Sequence, residues 1–99
     1  MKAANKAEAA HFEANGLCYS CTYSKYPTGE VGEVFISNAK VNSASDASAK
    51  DSAIAASLAL QAGIPLDTIS CALLKDARGN PGSALGAALA IIARMESEP

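Results

Sequence analysis

The chain has 99 residues, with 8 basic and 10 acidic side chains and a formal net charge of −2. No basic run forms a nucleic-acid footprint, and no apolar run approaches the ~20 residues that span a bilayer. Apolar residues make up 49 %, yet 22 residues are alanine and Leu, Ile, Val and Phe together number only 19, which forecasts a thin core.

Small domains with thin cores gain stability by burying surface between copies, so a homodimer or larger ring is expected. The opening "MKAANKAEAA" has no apolar segment and does not read as a secretory signal. Three cysteines, an odd count, fit free thiols in a reducing, cytoplasmic setting better than a disulfide framework.

In chain order, residues 1–12 are Ala, Lys, Asn and Glu with little else, and read as a flexible or weakly helical N-terminal segment. The domain proper is expected over residues 13–96. "GLCYSCTYS" alternates: Leu17, Tyr19, Cys21 and Tyr23 point one way, and Cys18, Ser20, Thr22 and Ser24 the other, the period of a half-buried strand. "KYPTG" supplies turn residues, and Glu30 to Ser37 is rich in β-branched and aromatic residues. The two runs predict an antiparallel hairpin.

A hairpin alone is marginal and needs a cover. Ser43 or Ser45 can cap a helix that has Asp46 in its first turn and ends before Gly63 and Pro65. Its predicted apolar stripe is Ile54 and Leu58, flanked by Ala47, Ala55 and Ala62. A second helix starts near Pro65 and ends near Lys75, carrying Ile69, Leu73 and Leu74. "KDARGNPG" is a loop, and a third helix runs from near Ser83 to Met95 on Leu85, Leu89 and Ile92. The predicted order is ββααα, a small α+β single domain.

Cys18-Tyr-Ser-Cys21 has the spacing of zinc and redox pairs. On a strand, however, residues three apart face opposite sides, no second pair exists, and the one histidine is His11. Structural cysteines and no metal site are the expectation. The carboxylates form no acid–base pair and no nucleophile arrangement stands out, so the chain is expected to be non-catalytic, with no cofactor.

The loops that open helices hold more. Asn42-Ser43 precedes one helix and Gly79-Asn80-Pro81-Gly82-Ser83 another, and N–H groups at helix starts attract anions. Lys40 stands before the first, Lys75 and Arg78 before the second. Ordinary capping with solvated charges explains the same residues. Between strand and helix, Asn38, Asn42 and Ser43 can satisfy backbone groups freed by the turn, while Lys40 is not needed for it.

The stretch from Gly29 to Leu89 resembles the TSCPD-domain family. The matching positions are Glu33-Val34-Phe35-Ile36, Lys40, Ser43, Asp46, Ser57-Leu58-Ala59-Leu60, Gly63, Ile69 and Ala72-Leu73. The likeness covers roughly Tyr19 to Leu89. The cysteine motif that names the family is missing from "IIARMESEP", and Asn42 stands where many relatives have Gly. Family members occur at the C-terminus of adenosylcobalamin-dependent ribonucleotide reductases and as short stand-alone proteins. The resemblance implies an accessory protein linked to ribonucleotide reductase and nucleotide metabolism, with a reductase subunit as partner. Reductase chemistry itself needs a large barrel that a chain of this length cannot supply.

Two further functions fit the residues. One is an oligomeric binder or sponge for a nucleotide or other phosphorylated metabolite. Lys40, Asn42, Ser43, Lys75, Arg78 and Ser83 would hold the anion, and Tyr19, Phe35, Tyr23 or Tyr26 would stack on a base. The other is a purely structural oligomerisation module.

Overall fold

The computed structural model describes residues 8–97. Three antiparallel strands come first: β1 (Glu8–Ala14), β2 (Leu17–Lys25) and β3 (Val31–Asn38), in the spatial order β1-β2-β3. Three helices follow: α1 (Ala44–Gln61), α2 (Leu66–Ala72) and α3 (Ala84–Ser97). The class is α+β, with a strand ahead of the expected hairpin. No helix among the described residues is long and apolar enough to cross a membrane.

The added strand corrects the reading of residues 1–12 as a flexible or weakly helical segment. Residues 1–7 lie outside the described residues, but from Glu8 onward the chain is β1. Its cause is the Asn15-Gly16 turn, with φ of 54° and 77°. Two left-handed residues in succession match the right-handed twist of paired strands, and Asn-Gly adopts them most readily. The turn sets Phe12 opposite Tyr19 and Ala10 opposite Cys21. Phe12 then stacks on Tyr19 with ring centroids 5.5 Å apart, and Ala10, Phe12 and Ala14 pack on the core. Helix propensity in an alanine-rich segment is a small preference, and this pairing outweighs it.

The β2–β3 hairpin closes through Tyr26 N–H donating to Glu30 O at 2.9 Å and Gly29 N–H to Tyr26 O at 2.8 Å. Behind it the Tyr26 ring lies flat over Gly32. A Cβ on Gly32 would sit 2.7 Å from the ring, so only glycine fits. The alternation in β2 holds from Cys18 to Tyr23, with Tyr19, Cys21 and Tyr23 buried under the helices and Cys18 exposed on the far face, while at the strand ends Leu17 is exposed and Ser24 is buried.

The helices cover one face of the sheet. Ala88, Leu89 and Ile92 of α3 meet Tyr23, Val34 and Ile36 in a single cluster. The end of α3 is tied down by Glu96, which accepts a hydrogen bond from the Tyr23 hydroxyl and pairs with Lys25 at 3.0 Å.

Helix α1 presents a different face from the one its large residues forecast. Ile54 and Leu58 are 58 % and 62 % exposed. The buried stripe is Asp46, Ala49, Ala53, Ala56, Ser57 and Leu60. Small side chains let the helix backbone come close enough to β3 to bond it directly, and bulky ones at the contact would hold it off. Running antiparallel to β3, α1 takes up the outward polar groups of that strand. Asp46 Oδ1 accepts the Asn38 N–H at 2.9 Å. Ser57 Oγ accepts the Val34 N–H at 2.9 Å and donates to Val34 O at 3.0 Å. Gln61 Nε2 reaches Gly32 O at 3.3 Å. A helix thereby does for this edge what a fourth strand would do.

Replacing Ser57 by Ala strands a buried N–H and a buried C=O together. Urea unfolding of Ser57→Ala is expected to show a loss of about 1–3 kcal/mol with an unchanged m-value.

Candidate functional site

The join between β3 and α1 is organised by one carboxylate. After Asn38 the chain turns through Asn42, whose φ of 66° is left-handed, a conformation Asn tolerates better than most residues. Ser43 caps α1 through its Oγ, which accepts the Asp46 N–H at 3.1 Å and donates to Lys40 O at 2.7 Å. Asp46 is 1 % exposed. Its two oxygens take the Asn38 N–H and, at 3.0 Å, the Asn42 N–H, and Lys50 closes the set with a 2.9 Å ion pair. Lys50, then the Asn42 and Asn38 amides, lower its pKa from the ordinary 3.8 to about 2.

Of the residues expected to hold an anion here, Asn42 and Ser43 serve this turn. Lys40 is exposed, and its backbone N–H bonds Asn38 Oδ1 at 2.8 Å. Asn38 Nδ2 is left without a partner, a buried donor among the described residues with both hydrogens unused.

The second expected cation cluster is built otherwise. Lys75 Nζ donates to Ser70 O at 2.9 Å and Leu73 O at 3.0 Å, closing the C-terminal end of α2. The following loop is a small hairpin bridged from Lys75 to Pro81, with Asp76 Oδ1 accepting the Arg78 and Asn80 N–H groups. Arg78 stands exposed at its tip. Ser83 caps α3 by accepting the Gly86 N–H at 3.1 Å.

Two of the expected residues do meet. The starts of α1 and α3 open onto one groove of about 550 Å3, lined by Ala44, Ser45 and Ser48 on one side and Gly82, Ser83 and Ala84 on the other. Tyr19 forms part of its wall, braced by the Phe12 stack, and Asn15 and Ser52 add polar groups. Lys40, Lys75 and Arg78 do not line it. The cap hydroxyls take the Asp46 and Gly86 N–H groups, and the amides of Ala44, Ser45, Ala84 and Leu85 belong to the same helix ends, where N–H groups lack intrahelical partners.

Phe35 belongs elsewhere. It is 51 % exposed and lines a second groove of about 460 Å3 between β3 and the outer side of α1, with Ile54 and Leu58. Strand β1 also creates a neighbourhood that a two-stranded reading hides. His11 lies across from Ser20 and Glu13 across from Cys18, so imidazole, carboxylate and thiol share the open face of the sheet. All three are exposed, and no hydrogen bond joins them. Among the described residues, no group of three or more His, Cys, Asp or Glu is arranged to hold a metal ion. Asn15-Gly16 is the signal that would have revealed this pairing.

Comparison with family models, with curated proteins and with solved structures gave no match.

Folding holds Asp46 ionised below its ordinary pKa. Its contribution to stability is complete above about pH 3.8 and is lost as the pH falls through about 2. Glu96, also lowered, chiefly by the Tyr23 hydroxyl, gives a parallel acid loss. Unfolding midpoints measured across this range are expected to fall less steeply with acid in Asp46→Asn than in the parent. Near neutral pH the variant is expected to have the lower midpoint, because the Asn38 and Asn42 N–H groups go to different oxygens of Asp46 and an amide replaces one of these by a donor.

Proposed function

We propose that the chain is a non-catalytic binding protein, an accessory of nucleotide metabolism as its TSCPD resemblance implies, that holds a small anionic ligand in the groove between the starts of α1 and α3. The observation that carries this reading is the meeting of two helix N-termini with the Tyr19 side chain over one cavity. Each helix end offers the equivalent of about half a positive charge, and the serine hydroxyls of residues 45, 48, 52 and 83 add donors and acceptors. Tyr19 gives the ligand an apolar surface.

The same geometry narrows the ligand class. With no Lys or Arg in the wall among the described residues, the groove offers about one unit of positive potential from its two helix ends. A singly charged group, such as a phosphodiester, a monoanionic phosphate ester or a carboxylate, suits it better than a triphosphate. The volume admits a mononucleotide-sized molecule.

The test is thermal unfolding with a panel of nucleoside monophosphates, cyclic nucleotides and inorganic phosphate, followed by calorimetry on any hit. A ligand at about 100 times its Kd stabilises by about 2.7 kcal/mol, a Tm rise on the order of 10 °C for a chain this size. Ser48 is exposed on α1, so Ser48→Glu is expected to keep the fold and weaken binding at least tenfold. No shift with any member of the panel sinks the binding reading. The accessory role has its own readout, association with the large subunit of an adenosylcobalamin-dependent ribonucleotide reductase in sedimentation.

A further inference from the structure

Three large apolar side chains that the fold does not bury stand together at one place. Phe35 projects from the open face of β3 at 51 % exposure, and Ile54 and Leu58 project from α1 at 58 % and 62 %. They wall the groove of about 460 Å3 whose floor is Val34, Ile36 and Ala53. A contiguous apolar strip with a polar rim is the signature of a contact surface.

Two features limit what that surface can receive. The first is that α1 already holds outward backbone groups toward both ends of β3, on either side of Ile36. Ser57 holds both polar groups of Val34, Asp46 holds the Asn38 N–H, and Gln61 holds Gly32 O. An extended peptide therefore finds only the Ile36 groups open between committed neighbours, too short a run for a new strand, and an occupant docks through side chains. The second is the placement of charge. Because α1 runs antiparallel to β3, Lys50 lies at the Ser37 end of the groove and Glu33 lies at the Gln61 end. The two rim charges have opposite sign at opposite ends of one apolar strip. A two-fold rotation about an axis lying across the strip at its middle brings the Lys50 end of each copy over the Glu33 end of the other, with Phe35 facing Phe35 and α1 facing α1. The surface is complementary to itself, as an isologous interface requires.

We infer that the occupant is a second copy of this chain, and that the protein is a two-fold dimer joined through the β3–α1 groove. Lys50 spends one of its donors on Asp46 while its side chain stays 47 % exposed. Glu33 accepts a hydrogen bond from Ser24 Oγ at 3.0 Å, and a carboxylate has further acceptor capacity. Both charges are therefore able to serve inside the chain and across the axis. This inference rests on a different surface from the ligand groove, so either can fail alone.

Sedimentation velocity and native mass spectrometry test it, with circular dichroism to check the fold. The parent chain is expected at twice its 10.0 kDa mass at tens of micromolar. Ile54→Glu and Leu58→Glu are each expected to sediment as monomers with an unchanged helical spectrum, since neither side chain packs in the core. Leu74→Glu, at an 81 % exposed site outside the groove, is expected to remain a dimer. Glu33→Lys gives the sign of the electrostatic contact: added sodium chloride is expected to weaken the parent dimer and strengthen this variant. A parent chain that stays monomeric, or a dimer that survives both Ile54→Glu and Leu58→Glu, overturns the proposal. So does a monomer carrying a different polypeptide in stoichiometric amount.

Discussion

A single buried carboxylate holds the two halves of this fold in register. Asp46 binds the last amide of β3, the left-handed Asn42 and the ammonium of Lys50 at once. It thereby fixes both where the strand stops and how the helix lies. From that anchor α1 runs back along β3, and Ser57 and Gln61 fall one after another against the outward groups of Val34 and Gly32. The alanines between them are what permit the approach. Once the helix is held edge-on, its bulkier residues have no place under the sheet and turn outward, and this creates the apolar groove. The candidate dimer surface is thus a geometric result of how one carboxylate seats one helix.

Much of this was legible from residue order. The alternation in β2 placed Cys18 and Cys21 on opposite faces, and the exposed and buried thiols agree. Ser43, Gly63 and Pro65 bracketed α1 within a residue or so, because caps and breakers act locally. Leu89 and Ile92 identified the buried face of α3. The failures have physical causes. β1 was hidden because Ala, Lys and Glu favour helix in isolation, while the two residues that decide the matter, Asn15 and Gly16, make only a turn. The large residues of α1, Ile54 and Leu58, mark a different face from the one the fold buries. Here closeness of backbones was the constraint, and alanine and serine meet it. The groove at the helix starts joins residues some forty positions apart, a proximity that no local pattern encodes.

The two surfaces divide the molecule by chemistry. At one end, helix starts and serine hydroxyls surround Tyr19. On the flank, Phe35, Ile54 and Leu58 offer an apolar strip between rim charges. The cations that seemed most available to a ligand are placed differently. Lys75 stabilises the end of α2, and Arg78 sits on a loop tip. What positive potential the first groove has comes from backbone dipoles, which have fixed direction and depend on the helices staying in place.

The tie between Tyr23, Lys25 and Glu96 bears on the order in which this chain assembles. The three strands and α1 make their contacts between neighbours in sequence, so each closes a short loop. The α3 tie spans more than seventy residues, and bringing such distant groups together costs more chain entropy than any earlier step. A meander with α1 laid along it is therefore the natural early unit, and α3 the late one. In the native state α3 is held by Ala88, Leu89 and Ile92 in the core and by the Glu96 tie at its end. An opening that releases α3 uncovers Tyr23, Val34 and Ile36 while leaving the Asp46 join closed, so amide exchange is expected to separate this opening from the one that breaks the join.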